Sequence, residues 1–316
     1  MKNNVREFYD TIGWSQVEEG IYQNARYEDL RPVSQVYIHR CHLRVKRHLG
    51  PTGKYLLDAG SGPIQYPEYL TYSEGYQYRV CADMSITALI EARKKIGEHG
   101  LFVVADIAHL PFKRDAFDGV VTLHTIHHLP LSEHARAYEG LHRVLAPGRS
   151  AVVVNGWSTS AIMDPFRNFS RLRKRVWMWK NQRGSEAARQ RINDSASQRF
   201  SESTSQWINE AADQRVGESA SRRREENLQS PISNTDEEPK NTFVEKHDPR
   251  WFKREIAPRM NTQILVWRSA SVHFLKNYIF ESRGGRQILR LLFWLEERFP
   301  RFFGEHGTYP LIVVRK

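Results

Sequence analysis

Short apolar runs that each end in an acidic residue recur through the first half of the chain. Tyr55-Leu56-Leu57-Asp58, Arg79-Val80-Cys81-Ala82-Asp83 and Phe102-Val103-Val104-Ala105-Asp106 have the length and residue types of buried strands. Residues 116–123 and 150–154 continue the series. Alternation of such strands with helix-compatible stretches predicts a parallel sheet with helices on both faces. After a long polar stretch, residues 261–267 and 309–314 read as two more strands, and Ile288, Leu291, Leu292 and Leu295 mark a helix between them. The expected fold class is α/β: a Rossmann-like seven-stranded sheet whose last strand returns antiparallel.

The same pattern divides the chain. Residues 1–50 carry helical apolar faces, Val5, Phe8, Tyr9 and Ile12 in one and Val33, Val36 and Tyr37 in another. Residues 51–157 hold the first five strands. Residues 158–182 read as a helical appendage in which Arg171, Arg173, Lys174 and Arg175 precede Val176, Trp177, Met178 and Trp179. Trp177 is expected to pack inward there while the charges stay wet. Residues 183–241 are rich in Ser, Arg, Gln, Glu, Asn and Ala, with too little apolar surface to offset the entropy of ordering them. A disordered insertion is expected. Residues 242–316 complete the sheet.

Composition narrows the class. A net charge of +11 suggests nucleic acid or an anionic surface as a partner, but the excess is scattered and no aromatic RNA-binding motif accompanies it. Two cysteines, Cys41 and Cys81, imply neither a disulfide framework nor a Cys/His metal site, and suit the reducing cytoplasm. No metal is expected. Neither a bilayer-length apolar stretch nor a signal-peptide core is present.

The chemistry gathers at the strand ends. Asp58-Ala59-Gly60-Ser61-Gly62-Pro63 places a carboxylate and a Gly-x-Gly turn at the carboxyl end of the first parallel strand, where open α/β sheets bind ligands. A dinucleotide fingerprint would need another glycine where Gln65 stands, and no P-loop occurs. A nucleoside-type ligand without phosphates remains. Asp83, about 25 residues after Asp58, has the spacing of a ribose-binding carboxylate. Asp106 is placed to accept from an adenine amine, with Ile107 against the ring. Each acid also has a plain alternative as a helix N-cap.

Taken together, LDAGSGP, CADMS, VVADIAHLPF, FDGVVTLHTIHHLP and LHRVLAPGRSAVVV resemble a class I S-adenosylmethionine-dependent methyltransferase of the small-molecule type 11 group. The resemblance covers roughly a third of the chain. Two positions depart from the family pattern: Ile64 replaces a third glycine, and Arg149 follows Pro147-Gly148 where a second glycine is usual. The resemblance implies S-adenosyl-L-methionine as cofactor. Asp58, Gly60 and Gly62 would lie along its methionine part, Asp83 at the ribose, Met84, Asp106 and Ile107 at the adenine, and Leu123 or His124 would close the site. It also implies N-terminal helices as a lid, making Tyr9, Trp14, Tyr22 and Arg31 lid candidates.

Methyl transfer needs a held acceptor and, where a proton must leave, a base. His is the first candidate for that base. His124, His127 and His128 follow the fourth strand, and the turn is expected to point His127 and His128 to opposite sides. His247, Trp251 and Trp267 are weaker candidates for the acceptor wall; Asp248 and Pro249 beside the first two read as a helix start. The expected function is methylation of a small molecule, with oxygen favoured by the family. RNA or protein methylation and a catalytically silent cofactor-binding protein remain as alternatives.

Overall fold

The computed structural model describes residues 2–14, 16–18, 21–23, 28–179, 181 and 243–316. A short antiparallel pair, β1 (Gln16–Glu18) and β2 (Ile21–Tyr22), precedes the main sheet. The apolar runs then form β3 (Gly53–Ala59), β4 (Tyr76–Asp83), β5 (Gly100–Val104), β6 (Phe117–Leu123), β7 (Leu145–Val154), β8 (Asn261–Arg268) and β9 (Tyr309–Arg315). Their order in the sheet is β5-β4-β3-β6-β7-β9-β8. β3 to β7 run parallel, and β9 enters antiparallel to both β7 and β8. Strand order reverses between β3 and β6, which opens a crevice at their carboxyl ends.

Both faces of the sheet are covered, which is why the strands read as continuous apolar runs. Leu57, Val120 and Val153 belong to one buried cluster, and their neighbours Leu56, Val121 and Val152 to the other. A third cluster joins Val33, Tyr37 and Ile38 of the helix Pro32–Leu43 to Phe274, Leu275 and Leu289 from the β8–β9 connection. Glu296, fully buried in the helix Gly285–Arg298, ties these parts together. It accepts from Tyr37 Oη (2.7 Å), Ser269 N (2.8 Å), Ser269 Oγ (2.6 Å) and Arg44 Nη1 (2.9 Å). Removing Glu296 leaves three buried donors, the Tyr37 hydroxyl and the Ser269 amide and hydroxyl, without their acceptor, and takes from Arg44 its buried carboxylate partner. Glu296→Ala is therefore expected to lower unfolding free energy by about 3–5 kcal/mol, read from urea unfolding.

The chain divides into two compact units, Met1–Asn168 with Asn241–Lys316, and Phe169–Lys240. A helix covers residues 164–179, and Trp177 on it is 62% exposed rather than packed inward. Four consecutive large apolar residues, Val176 to Trp179, spread around a helix and cannot share one face. The proposed insertion 183–241 lies outside the described residues. No helix among the described residues is long and apolar enough to cross a membrane.

Candidate active site

The site begins with the turn after β3. Gly60 and Gly62 take φ of +74° and +55°, and a Cβ on Gly60 would stand 2.2 Å from the Thr125 side chain. Only glycine fits there. Asp83 crosses to this turn from the end of β4: Gly62 N donates to its Oδ2 (2.9 Å) and Ser85 N to its Oδ1 (2.9 Å). An ionised carboxylate has about four acceptor positions, so room remains for two further donors. Burial pushes its pKa up to about 6 against the opposing backbone bonds. Asp58 is buried and holds the guanidinium of Arg79 through Oδ2, with Arg79 Nε at 3.1 Å and Nη2 closer still.

A cavity of about 610 Å³ opens over this turn. Asp58, Gly60, Gly62, Asp83, Met84, Ile107 and Leu123 line its strand-end side. Tyr9 and Trp14, stacked at 5.0 Å, line it from the N-terminal segment. Five of the residues singled out from the sequence do not line it. Asp106 caps the turn after β5 instead: its Oδ1 accepts from Ala108 N (2.9 Å), and its Oδ2 meets His109 Nδ1 (2.9 Å). Tyr22 is fully buried beneath Trp14, in an edge-on contact at 6.0 Å. Arg31 is held by Asp29 (2.7 and 2.8 Å) and the Leu275 carbonyl (2.6 Å). His247 and Trp251 stack on each other at 3.5 Å, at the helix that Asp248 caps through Trp251 N (2.8 Å).

All three histidines after β6 line the cavity. His127 and His128 are not separated by the turn; their rings lie 4.2 Å apart. Their hydrogen bonds distinguish them. His128 donates from Nδ1 to the Phe243 carbonyl (2.8 Å) and accepts at Nε2 from Tyr9 Oη (2.8 Å), so both nitrogens are engaged. His127 donates from Nδ1 to Asn155 Oδ1 (2.6 Å), which makes Nε2 the unprotonated nitrogen. His124 sits at a φ of +57°, an unusual conformation for a side-chain-bearing residue, with its ring edge-on to Trp267 at 4.9 Å.

Burial is the first cause that holds all three imidazoles below the ordinary value, His128 at about 4. Unfolded histidines take up protons near pH 6.5, so the unfolded chain binds more protons below that point. Stability supplied by these neutral histidines is present above pH 6.5 and lost as pH falls. Asp83 acts in the opposite sense, because its folded carboxyl is protonated nearer pH 6 than the unfolded one. Three groups outweigh one. The urea midpoint is expected to fall between pH 7.5 and pH 5.

The residues that β8, β9 and the segments beside them add to the cavity were less visible in the sequence, and of these Trp267 alone was a candidate there. They include Lys246, Trp267, Arg268, Glu28 and Tyr309. Arg268 is 1% exposed, paired with Glu28 through Nη1 (2.6 Å), and its guanidinium lies over Tyr309 at 4.8 Å. A charged residue directly after Ile264-Leu265-Val266-Trp267 was the only available signal.

Residues 57–153 match the family model for a methyltransferase domain. Among solved structures, YcgJ from Bacillus subtilis is 23% identical over 42% of this chain and 56% of its own, with a TM-score of 0.34. Geranyl diphosphate methyltransferase in complex with SAM is 14% identical over 88% of this chain and 84% of its own, with a TM-score of 0.46. Phosphoethanolamine N-methyltransferase 1 from Haemonchus contortus is 15% identical over 50% of this chain and 32% of its own, with a TM-score of 0.40. The chain thus spans a little over half the length of YcgJ. No curated protein sequence matches it.

Proposed function

We propose that this chain, a class I S-adenosylmethionine-dependent methyltransferase by its methyltransferase domain and Rossmann-like sheet, transfers a methyl group to a small-molecule acceptor, with oxygen as the favoured accepting atom. One observation carries this reading. A single cavity joins a carboxylate-braced glycine turn to a histidine whose free nitrogen is fixed by its neighbour.

The residues fit the cofactor. The turn tolerates no Cβ at Gly60, Asp83 keeps acceptor positions for a ribose diol, and Met84 and Ile107 offer apolar contacts to a flat base. The volume is in the range of small-molecule sites, about 300–1,000 Å³. When bound, the cofactor supplies the activated methyl and its own leaving group. The protein contributes position and proton handling. Asp83, with Gly60 and Gly62, fixes the nucleoside end against the sheet. His127, oriented by Asn155, presents Nε2 to take the proton from an acceptor hydroxyl. Tyr9, tethered by His128, and Trp14 cover the cavity and limit water.

Incubation with methyl-labelled cofactor and a panel of hydroxyl, amine and carbon nucleophiles, read by mass spectrometry, tests the reading. A labelled O-methyl small molecule is the expected product. Label appearing only in RNA or protein would reassign the acceptor. Cofactor binding without transfer to any class would make the protein a silent binder.

A further inference from the structure

One wall of the cavity carries a cation that nothing among the described residues pairs. Lys246 presents its ammonium beside Gly156, and no hydrogen bond or ion pair engages it among the described residues. Trp267 Nε1 and Arg268 Nε have no partner among the described residues, but each is closed off from a water-sized oxygen and so stands behind the cavity surface. Both residues are 1% exposed, and both line the same cavity as Lys246. His124 lies between these groups: its ring touches Trp267, and both Arg268 and Lys246 act on its charge. The carboxylates of the cavity are committed elsewhere, Glu28 to Arg268, Asp58 to Arg79 and Asp83 to the glycine turn. Buried charges are paired in folded proteins, so the Lys246 ammonium marks a place for an anionic group.

We propose that the acceptor carries an anionic oxygen group, a carboxylate or a phosphate, and that Lys246 binds it on the β8 side of His124. This rests on the methyltransferase reading and names the substrate class for the same cavity. The anion cancels the uncompensated charge of Lys246. An acceptor held by such an anchor presents a separate nucleophilic atom toward His127. Neutral and cationic acceptors leave the Lys246 ammonium unpaired and are discriminated against on that ground.

The test uses the full chain saturated with S-adenosylhomocysteine and titrates benzoate, phenyl phosphate, benzyl alcohol and benzylamine by calorimetry. At least one of the two anions is expected to bind at least tenfold more tightly than the alcohol or the amine. Which anion wins separates a carboxylate from a phosphate. Lys246→Met is expected to erase that preference, and Lys246→Arg to keep most of it, while both variants hold S-adenosylhomocysteine as the native protein does. Equal binding of all four probes, or an anion preference that survives Lys246→Met, overturns the proposal. Failure of the native protein to bind S-adenosylhomocysteine overturns the underlying methyltransferase reading instead, so the two failures are distinguishable.

Discussion

Replacing His127 by alanine is expected to lower the methyl-transfer rate about 100-fold while leaving the affinity for S-adenosylhomocysteine within about twofold. General-base catalysis contributes roughly 10²–10⁴ in rate, and the lower figure suits a site where cofactor and acceptor remain positioned. The argument is one of hydrogen bonds. His128 has both nitrogens engaged, with Tyr9 and with the Phe243 carbonyl, whereas Asn155 commits only the Nδ1 proton of His127. His128→Ala should therefore act on the lid, raising KM more than it lowers kcat. The pH profile is a second readout. Burial first, then the neighbouring His128 and Lys246, holds His127 well below 6.5. The base thus stays unprotonated at neutral pH, and the acid limb of kcat should lie well below pH 6.5. A limb centred at pH 6.5, or a His127→Ala variant with native kcat, would remove His127 as the base.

Asp83→Ala carries the second large effect. The carboxylate braces Gly62 and Ser85 and would also accept the ribose hydroxyls. Hydrogen bonds to charged groups contribute about 1.5–3 kcal/mol each, so losing two implies at least a 100-fold drop in cofactor affinity. A pH dependence accompanies it. Because burial raises this carboxyl to about 6, roughly a tenth is ionised at pH 5 in the unliganded protein. Ribose hydroxyls favour the ionised form, so binding expels a proton there. Affinity should fall about tenfold from pH 7.5 to pH 5, and Asp83→Asn should flatten that slope. Calorimetry at the two pH values measures both effects. A native slope that persists in the Asn variant would place the titrating group elsewhere.

The seven strands were legible because a sheet covered on both faces demands apolar runs, and those runs are short, bounded and end in polar residues. The start of β7 at Leu145 was not, since Pro147-Gly148-Arg149 interrupts its apolar character. β1 and β2 span too few residues to leave a pattern. Asp83 and Asp106 look alike in sequence, each closing an apolar run. They diverge through their neighbours: Asp83 meets the backbone of Gly62, whereas His109, three residues on, draws Asp106 into a local cap. The distinction between His127 and His128 depends on Tyr9, Asn155 and Phe243, which are remote in the chain and carry no local mark. The β8 strand was read only as far as Trp267, because a charge argues against burial. Glu28, 240 residues away, supplies the countercharge that lets Arg268 stay inside. Local pattern thus located the sheet and the glycine turn. The side of the cavity that Arg268 and Glu28 build depends on a long-range pairing, and only Trp267 in it was picked out from the sequence.

The most direct test of the central claim is calorimetric titration of the native chain with S-adenosylhomocysteine, with NADH as the comparison ligand. Binding of S-adenosylhomocysteine without binding of NADH is the predicted result, as expected of a Gly-x-Gly turn followed by Gln65. Binding of NADH alone, or of neither ligand, would contradict the account at its root.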